Sequence, residues 1–195
     1  LSEWNALGRW QGRADPPLHD DGRAAAVEFA IHLQRDVNVA SPMWASTLGR
    51  AAETAAVLAA ALGVTVDHDD RLVERHIGEW QGLTHTEIRE GWPGALETQT
   101  FPHDAESSAE MNARLVDGLA HVVTATPPGQ QTIVVVSHGG VIWNLIEATG
   151  AEATRTGNVA GRFFEVAADG GYTVGDIYDP LGSSTPSFSP SPQER

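Results

Sequence analysis

The sequence predicts an α/β domain with a mainly parallel sheet, and two observations carry this prediction. Short runs of β-branched residues alternate with segments in which apolar residues recur at helical spacing, which is the pattern of strands joined by crossover helices. Residues 133–136 form an unbroken apolar run that ends at Ser137-His138-Gly139-Gly140, and a helical pattern follows at once. A chain of 195 residues is long enough for one domain with a full hydrophobic core.

The first third of the chain predicts a loop followed by two helices and two short strands. Residues 1–18 contain two glycines and two prolines, which indicates a loop. Asp20 or Asp21 is expected to cap a helix that runs to about Arg35. The spacing of apolar residues then predicts a strand over 43–45, a helix over 48–62 and a strand over 64–66.

Two capping boxes predict helix starts in the middle of the chain. Thr84-His85-Thr86-Glu87 begins a brief helix, and Ser107-Ser108-Ala109-Glu110 begins a longer one. The run over 133–136 predicts a strand that is buried on both faces, as in a parallel sheet. Residues 162–166 and 172–174 predict a hairpin. The Pro- and Ser-rich stretch 179–195 cannot build a core and predicts a disordered tail.

The composition excludes several classes of site and partner. The 26 acidic and 12 basic residues give a net charge of −14, which repels nucleic acid and anionic membranes. The absence of cysteine excludes disulfides and thiolate metal sites. No apolar run is long enough to span a bilayer and no signal peptide is evident, so a cytoplasmic location is expected. A binding site for an anion would need a local concentration of Arg and His against this field.

His138 is the first candidate site residue. A strand, a tight turn and a helix place it at the carboxyl edge of an open α/β sheet, where ligands bind. The same turn directs the free N–H groups of a helix N-terminus at that spot, and such groups favour anions. The alternative is a histidine that merely caps a strand.

Arg50 and Glu74 are the other two candidates that the residues themselves suggest. Arg50 falls near a predicted helix start, where a cation opposes the helix dipole, so a phosphate partner is indicated. The alternative for Arg50 is a solvated side chain. Glu74 precedes a Gly-Glu-Trp-Gln-Gly segment, and a carboxyl group partly desolvated near Trp80 would have the raised pKa that a general acid needs. The alternative for Glu74 is an ion pair with Arg75 or Arg71.

A metal site is not indicated by the sequence. His68 has acidic neighbours at 67, 69 and 70, but residues of one short loop cannot all face one ion. No Glu-x-x-His or His-x-x-x-His pair supports such a site. A solvated turn is therefore expected there, and no metal ligand is assigned.

Four segments, taken in order, resemble the histidine phosphatase superfamily, the phosphoglycerate-mutase-like proteins. Ser2-Glu3-Trp4-Asn5 with Gly8-Arg9-Trp10-Gln11-Gly12 resembles the stretch after the family's first catalytic motif. Ser46-Thr47-Leu48-Gly49-Arg50-Ala51 resembles its Ser-x-Leu-x-Arg-Ala segment, and residues 74–82 resemble its acid segment. Ser137-His138-Gly139-Gly140 resembles its second histidine motif. Each match is weak alone, but four in family order are specific.

The resemblance implies a three-layer α/β/α fold and a phosphatase that works through a phosphohistidine without metal or cofactor. Arg50 and His138 would bind the phosphoryl oxygens, and Glu74 would protonate the leaving oxygen and then activate water. Asn5, Gln11 and the backbone N–H of Gly139 would contribute to substrate binding. The partner would be a small phosphorylated metabolite of the phosphosugar or phosphoglycerate type. The domain would cover residues 1–178, with the tail at 179–195.

One family motif is missing from this sequence. The nucleophilic histidine belongs to an Arg-His-Gly motif at the end of the first, central strand, and no Arg-His-Gly occurs here. We expect that this chain is an N-terminally truncated fragment, inactive as it stands, in which that strand is absent. Two alternatives stay open, a mutase-type phosphotransfer and a non-catalytic phosphoester-binding pseudoenzyme. A short segment over 84–107 with Arg89 as its one cation favours the phosphatase over the mutase.

Overall fold

The computed structural model describes residues 1–129, 131–151, 153 and 156–182. Its regular elements are six helices and five strands, with 3₁₀ turns at 70–72 and 78–80. In chain order they are α1 (Glu3–Ala6), α2 (Asp20–Asp36), β1 (Met43–Ala45), α3 (Gly49–Leu62), β2 (Val66–His68), α4 (His85–Gly91), α5 (Ser108–Ala125), β3 (Val135–Val136), α6 (Gly139–Ala148), β4 (Gly161–Val166) and β5 (Tyr172–Tyr178).

The strands form two separate sheets. β1 lies between β2 and β3 and is parallel to both, with Met43 opposite Val66 and Trp44 opposite Val135. β4 and β5 form an antiparallel hairpin in which Gly161 is opposite Tyr178. Strands alternate with helices and the three-stranded sheet is parallel, so the α/β prediction is confirmed.

Helices cover both faces of these sheets. One core cluster joins α2 and α3 to the sheet through Phe29, Leu58 and Met43, with Val134 and Tyr178 packed against it. On the opposite face, a cluster built from α5 and α6 receives side chains from β4 and β5. These two clusters are the layers of an α/β/α arrangement. Val134, just before β3, and Tyr178, at the end of β5, pack against the same cluster. Both sheets therefore lie in the same middle layer.

A large cavity separates β3 from β4. Its volume is about 1970 Å³, and its walls include residues 132–137 on one side and 159–166 on the other. Within the described residues, β3 pairs only with β1 and β4 pairs only with β5, so each strand leaves one edge of backbone N–H and C=O groups without a strand partner. We call this space between the facing edges the strand slot.

The prediction that residues 133–136 form a strand buried on both faces needs correction, because this segment borders the strand slot. Val134 and Val136 contact the α2–α3 core, while Ile133 and Val135 contact Trp44 and its neighbours on the other face. Both faces are therefore covered, as predicted, yet all four residues remain half-buried. The exposed part is the edge that faces the slot, and only Val135–Val136 are regular strand.

Several local predictions are confirmed and three need correction. The capping boxes at Thr84 and Ser107 both form, and the hairpin extends as far as Tyr178. Residues 1–18 are not wholly loop, because Ser2 caps the short helix α1 with a capping box of its own. Helix α2 is capped by His19, not by Asp20 or Asp21.

The third correction concerns β2, which covers Val66–His68 where 64–66 was predicted. The predicted tail lies outside the described residues from position 183 onward, so the domain boundary at 178 stays a prediction. In the part of the chain that the structure describes, no helix has both the length and the apolar character needed to cross a membrane.

Candidate active site

The candidate site lies where the parallel strands end, beside the strand slot. β1 leads into Ser46 and then into α3 with Arg50, and β3 leads into His138 at the start of α6. The segment that carries Glu74 is fastened to the end of β3, because the hydroxyl of Ser137 donates to the carbonyl oxygen of Leu72 at 2.7 Å. Arg50, Glu74 and His138 all line the cavity that contains the slot.

His138 is held as a buried, neutral imidazole. Only 7% of the residue is exposed, and its Nε2 lies 2.8 Å from the hydroxyl of Ser46. Burial lowers the pKa of His138 from 6.5 to about 3, and the positive charges of Arg50 and Arg114 act in the same direction. His138 is the residue before the first turn of α6, but its side chain makes no capping hydrogen bond.

Arg50 lies in the first turn of α3 and is held by the loop before it. Its Nη1 donates to the carbonyl oxygen of Ala14 at 2.7 Å, and its Nη2 donates to that of Gly12 at 2.9 Å. Asp15 approaches the guanidinium at 3.9 Å, and 10% of the Arg50 side chain is exposed. The solvated alternative is therefore wrong. Burial lowers the pKa of Arg50, while the charges of Glu74 and Asp15 oppose that effect.

Glu74 is held by two backbone N–H groups. Its Oε1 accepts from the N–H of Arg75 at 2.8 Å and its Oε2 accepts from the N–H of Gly140 at 3.1 Å. Desolvation raises the pKa of Glu74, and these hydrogen bonds and the charges of Arg50 and Arg75 only partly offset it. The ion-pair alternative is wrong, because Arg71 pairs with Asp69 and the guanidinium of Arg75 binds other groups.

The predicted effect of Trp80 on Glu74 is confirmed only in the direction of the pKa shift. The raised pKa of Glu74 agrees with the predicted desolvation. Trp80, however, lies in a hydrophobic cluster with Ile77 and Ile88, where its ring centroid is 5.5 Å from that of Trp10. The indole of Trp80 therefore serves the packing of the acid segment.

Asn5 and Gln11 line the same cavity and share Ser2 as a partner. The Oδ1 of Asn5 accepts from the backbone N–H of Ser2 at 2.9 Å, and the Oε1 of Gln11 accepts from its hydroxyl at 2.7 Å. With both amide oxygens engaged, the NH₂ groups are the donors that these side chains can offer to a ligand. Gly139 is exposed at the first position of α6, where a helix has orphan N–H groups.

Four further residues support the site and were missed by the sequence reasoning. Ser46 binds His138, and the Nε of Arg13 donates to the backbone carbonyl oxygen of Glu74 at 3.1 Å. Arg75 and Asn144 form a buried hydrogen bond of 2.9 Å. Asn144 had a visible signal, since it is a polar residue inside the apolar pattern of α6.

The arrangement combines anion-binding groups with a carboxyl group that can carry a proton. A guanidinium, a helix N-terminus and an imidazole meet at one edge of the sheet, which is the chemistry of a phosphate site. A carboxyl group with a raised pKa beside them can donate a proton to a leaving oxygen. Among the described residues, no group of three or more His, Asp or Glu is placed to hold a metal ion.

Comparison with known proteins finds relatives among phosphatases. Glucosyl-3-phosphoglycerate phosphatase of Mycolicibacterium vanbaalenii is 34% identical over 157 residues, which are 75% of this chain and 69% of the relative. The enzyme of the same name from Mycobacterium tuberculosis is 36% identical over 158 residues, with 75% and 70% covered. Phosphoserine phosphatase 1 of Hydrogenobacter thermophilus is 34% identical over 144 residues, with 70% and 66% covered.

Solved structures agree with this assignment. A mycobacterial glucosyl-3-phosphoglycerate phosphatase in complex with VO3 superposes with a TM-score of 0.77 at 28% identity, covering 89% of this chain and 92% of that one. The family model of the histidine phosphatase superfamily (branch 1) matches residues 1–160. The predicted resemblance is confirmed, and this chain belongs to the histidine phosphatase superfamily.

Proposed function

We propose that this protein is a phosphomonoester hydrolase for small phosphorylated metabolites of the phosphosugar or phosphoglycerate type. The observation that carries the proposal is the placement of Arg50, His138 and Glu74 where the parallel strands end, close enough that the charge of Arg50 acts on the pKa of both other groups. The relatives named glucosyl-3-phosphoglycerate phosphatase and phosphoserine phosphatase support a phosphatase.

In the proposed reaction, the substrate's phosphoryl group binds between Arg50, His138 and the N–H of Gly139. The NH₂ groups of Asn5 and Gln11 donate to its remaining oxygens. A histidine nucleophile forms the P–N bond as the P–O bond to the leaving group breaks, and Glu74 donates its proton to the departing oxygen. Glu74 then takes a proton from water, whose oxygen attacks phosphorus and breaks the P–N bond. Inorganic phosphate leaves, with no metal or cofactor required.

We infer that the nucleophile of this reaction is not among residues 1–195, and the strand slot supports a source for it. α2 ends at Asp36 and leads into β1, so Asp36 lies near the edge of the sheet at which β1 begins. Tyr178 is opposite Gly161, the first residue of β4, and it donates to Asp36 at 3.0 Å. β4 thus begins at the same edge as β1. β4 therefore runs in the same direction as β3. We infer that a strand ahead of Leu1 fills the slot parallel to both and ends beside His138.

Two of the arginines that line the cavity favour hydrolysis over the mutase alternative. Arg89 is paired with Glu97 at 3.2 Å, and Arg9 is paired with Glu87 at 3.4 Å while also donating to the carbonyl oxygen of Gly82. A mutase substrate such as 3-phosphoglycerate carries a carboxylate that needs a cation of its own. Neither of these arginines is left unpaired to supply it.

The experiment compares the 195-residue chain with the same chain extended by its upstream codons. We expect negligible hydrolysis of p-nitrophenyl phosphate by the first, and metal-independent hydrolysis with an acid-labile phosphoenzyme by the second. His138→Ala in the extended chain should abolish that activity. Upstream codons without Arg-His-Gly would favour the pseudoenzyme. Conversion of 3-phosphoglycerate to 2-phosphoglycerate without release of phosphate would favour the mutase.

A further inference from the structure

We propose that Arg75 is a positioning residue, which holds the carboxyl group of Glu74 in place by joining the Glu74 segment to helix α6 through Asn144. The inference deepens the proposed function, on which it rests for the role of Glu74. It gives a role to the buried, charged side chain of Arg75, which takes no part in the proposed reaction itself.

Arg75 is buried and its guanidinium is occupied by protein groups. Only 7% of the residue is exposed, and its Cζ lies 4.7 Å from the centroid of the Phe101 ring. Its Nη1 donates to the carbonyl oxygen of Glu106 at 3.1 Å, and its Nη2 donates to Ser108 at 3.1 Å and to Asn144 at 2.9 Å. Three hydrogen bonds to protein groups therefore hold the guanidinium of Arg75 in place.

Among the partners of Arg75, Asn144 is the one that links Arg75 to the helix that also binds Glu74. It is 2% exposed, and its Nδ2 is buried without a hydrogen-bond partner among the described residues. A buried amide that satisfies only its oxygen is costly, and the bond from Arg75 is the hydrogen bond that this side chain makes among the described residues.

The two contacts to α6 are one helical turn apart. Gly140 and Asn144 are four residues apart in the helix, so they lie on the same face. Gly140 holds the carboxyl group of Glu74, and Asn144 holds the side chain of the next residue, Arg75. The backbone N–H of Arg75 also donates to the other carboxylate oxygen of Glu74. Helix α6 thus contacts the acid segment at two points, at the carboxyl group of Glu74 through Gly140 and at the guanidinium of Arg75 through Asn144.

Ser108 provides a matched control for this role. It accepts a hydrogen bond from the same Nη2 atom as Asn144 and at a similar distance, but it lies on α5. Ser108→Ala and Asn144→Ala each remove one acceptor of Arg75. Only the second releases Arg75 from the helix that holds Glu74.

The test is the titration of the Glu74 carboxyl carbon by NMR in the 195-residue chain, with the resonance assigned by its loss in Glu74→Gln. The charged and titratable groups around Glu74 are Arg50 on α3, Arg13 on its carbonyl oxygen, Arg114 of α5 on the carbonyl oxygen of Val73, His138 at the start of α6 and Arg75 itself. None of them is altered in Asn144→Ala or Ser108→Ala.

We expect the Glu74 midpoint to fall by at least about 0.5 in pH in Asn144→Ala. Desolvation is the largest cause of the raised pKa of this carboxyl group. A loosened segment admits water, which reduces the desolvation and lowers the pKa. Ser108→Ala should leave the midpoint where it is. If Asn144→Ala does not fold, Asn144→Gln displaces the amide oxygen by one methylene and should give the same fall.

An unchanged or higher midpoint in the folded Asn144 variant would overturn the proposal, as would an equal fall in Ser108→Ala. Because the titration needs no turnover, it stays decisive if the phosphatase assay fails. Conversely, if the extended chain is an active phosphatase but the Glu74 midpoint does not change in Asn144→Ala, only this inference is refuted.

Discussion

Replacing Gly140 by alanine tests the contact that places Glu74. A Cβ atom at position 140 would collide with the Oε1 of Glu74 and lie 2.9 Å from its Cδ. The carboxyl group is the far end of a flexible side chain, so we expect it to swing away while the backbone of α6 stays in place. Gly139→Ala is the matched control, because a Cβ there meets no atom within 4 Å.

The magnitude follows from the bond that is lost. Displacing Glu74 breaks the 3.1 Å hydrogen bond from the N–H of Gly140, and a hydrogen bond to a charged group contributes about 1.5–3 kcal/mol. Alanine gains up to about 1 kcal/mol over glycine in a helix, and both variants share that gain. We therefore expect Gly140→Ala to be about 1.5–3 kcal/mol less stable than Gly139→Ala.

The assay is urea denaturation followed by tryptophan fluorescence, for which the chain offers six tryptophans. In the extended chain, Gly140→Ala should also lose about 10²-fold or more in turnover, the usual contribution of a general acid. Equal stability of the two variants would show that the Glu74–Gly140 contact carries no free energy. Full turnover by Gly140→Ala would refute the role of Glu74 as the acid.

Three further predictions follow from the site and the hairpin. His138 stays neutral in the folded protein, because its pKa is about 3 there against 6.5 in the unfolded chain. Its contribution to the free energy of unfolding is therefore full above pH 6.5 and falls by about 1.4 kcal/mol per pH unit below it. His138→Gln should remove this slope from a series of urea denaturations between pH 7 and 5. Binding of inorganic phosphate should raise the pKa of His138, because the anion offsets the positive charges of Arg50 and Arg114, and equal imidazole titration midpoints by NMR with and without phosphate would contradict this. Gly170→Ala should unfold at least about 2 kcal/mol more easily than Gly150→Ala, because both glycines have positive φ but only a Cβ at 170 collides with the carbonyl oxygen of Val116; equal midpoints would contradict this.

Local signals in the sequence predicted the helices better than the strands. The capping boxes at Thr84 and Ser107 are complete in four residues each, and both form as expected. β2 was placed two residues early, because its register depends on Met43 of β1, which is far away in the chain. Its exposed Asp67 and His68 also lack the apolar alternation by which strands are recognised.

The same distinction holds for the candidate site. The family motifs singled out Arg50, Glu74 and His138, and the structure brings all three to one cavity. The supporting roles of Arg13 and Arg75 could not be predicted, because both act through contacts between distant segments. The hydrogen bond between Arg75 and Asn144, for example, joins residues that are 69 positions apart.

The position of Leu1 gives a chemical handle on the strand slot. All 12 basic residues are arginine, so a chain that starts at Leu1 has one primary amine. That amine lies at the wall of the cavity, and burial lowers its pKa, which leaves more of it unprotonated near neutral pH. An amine-reactive dye would therefore label a chain that starts at Leu1 at a single atom, and its reaction rate would report directly whether a separate peptide occupies the slot.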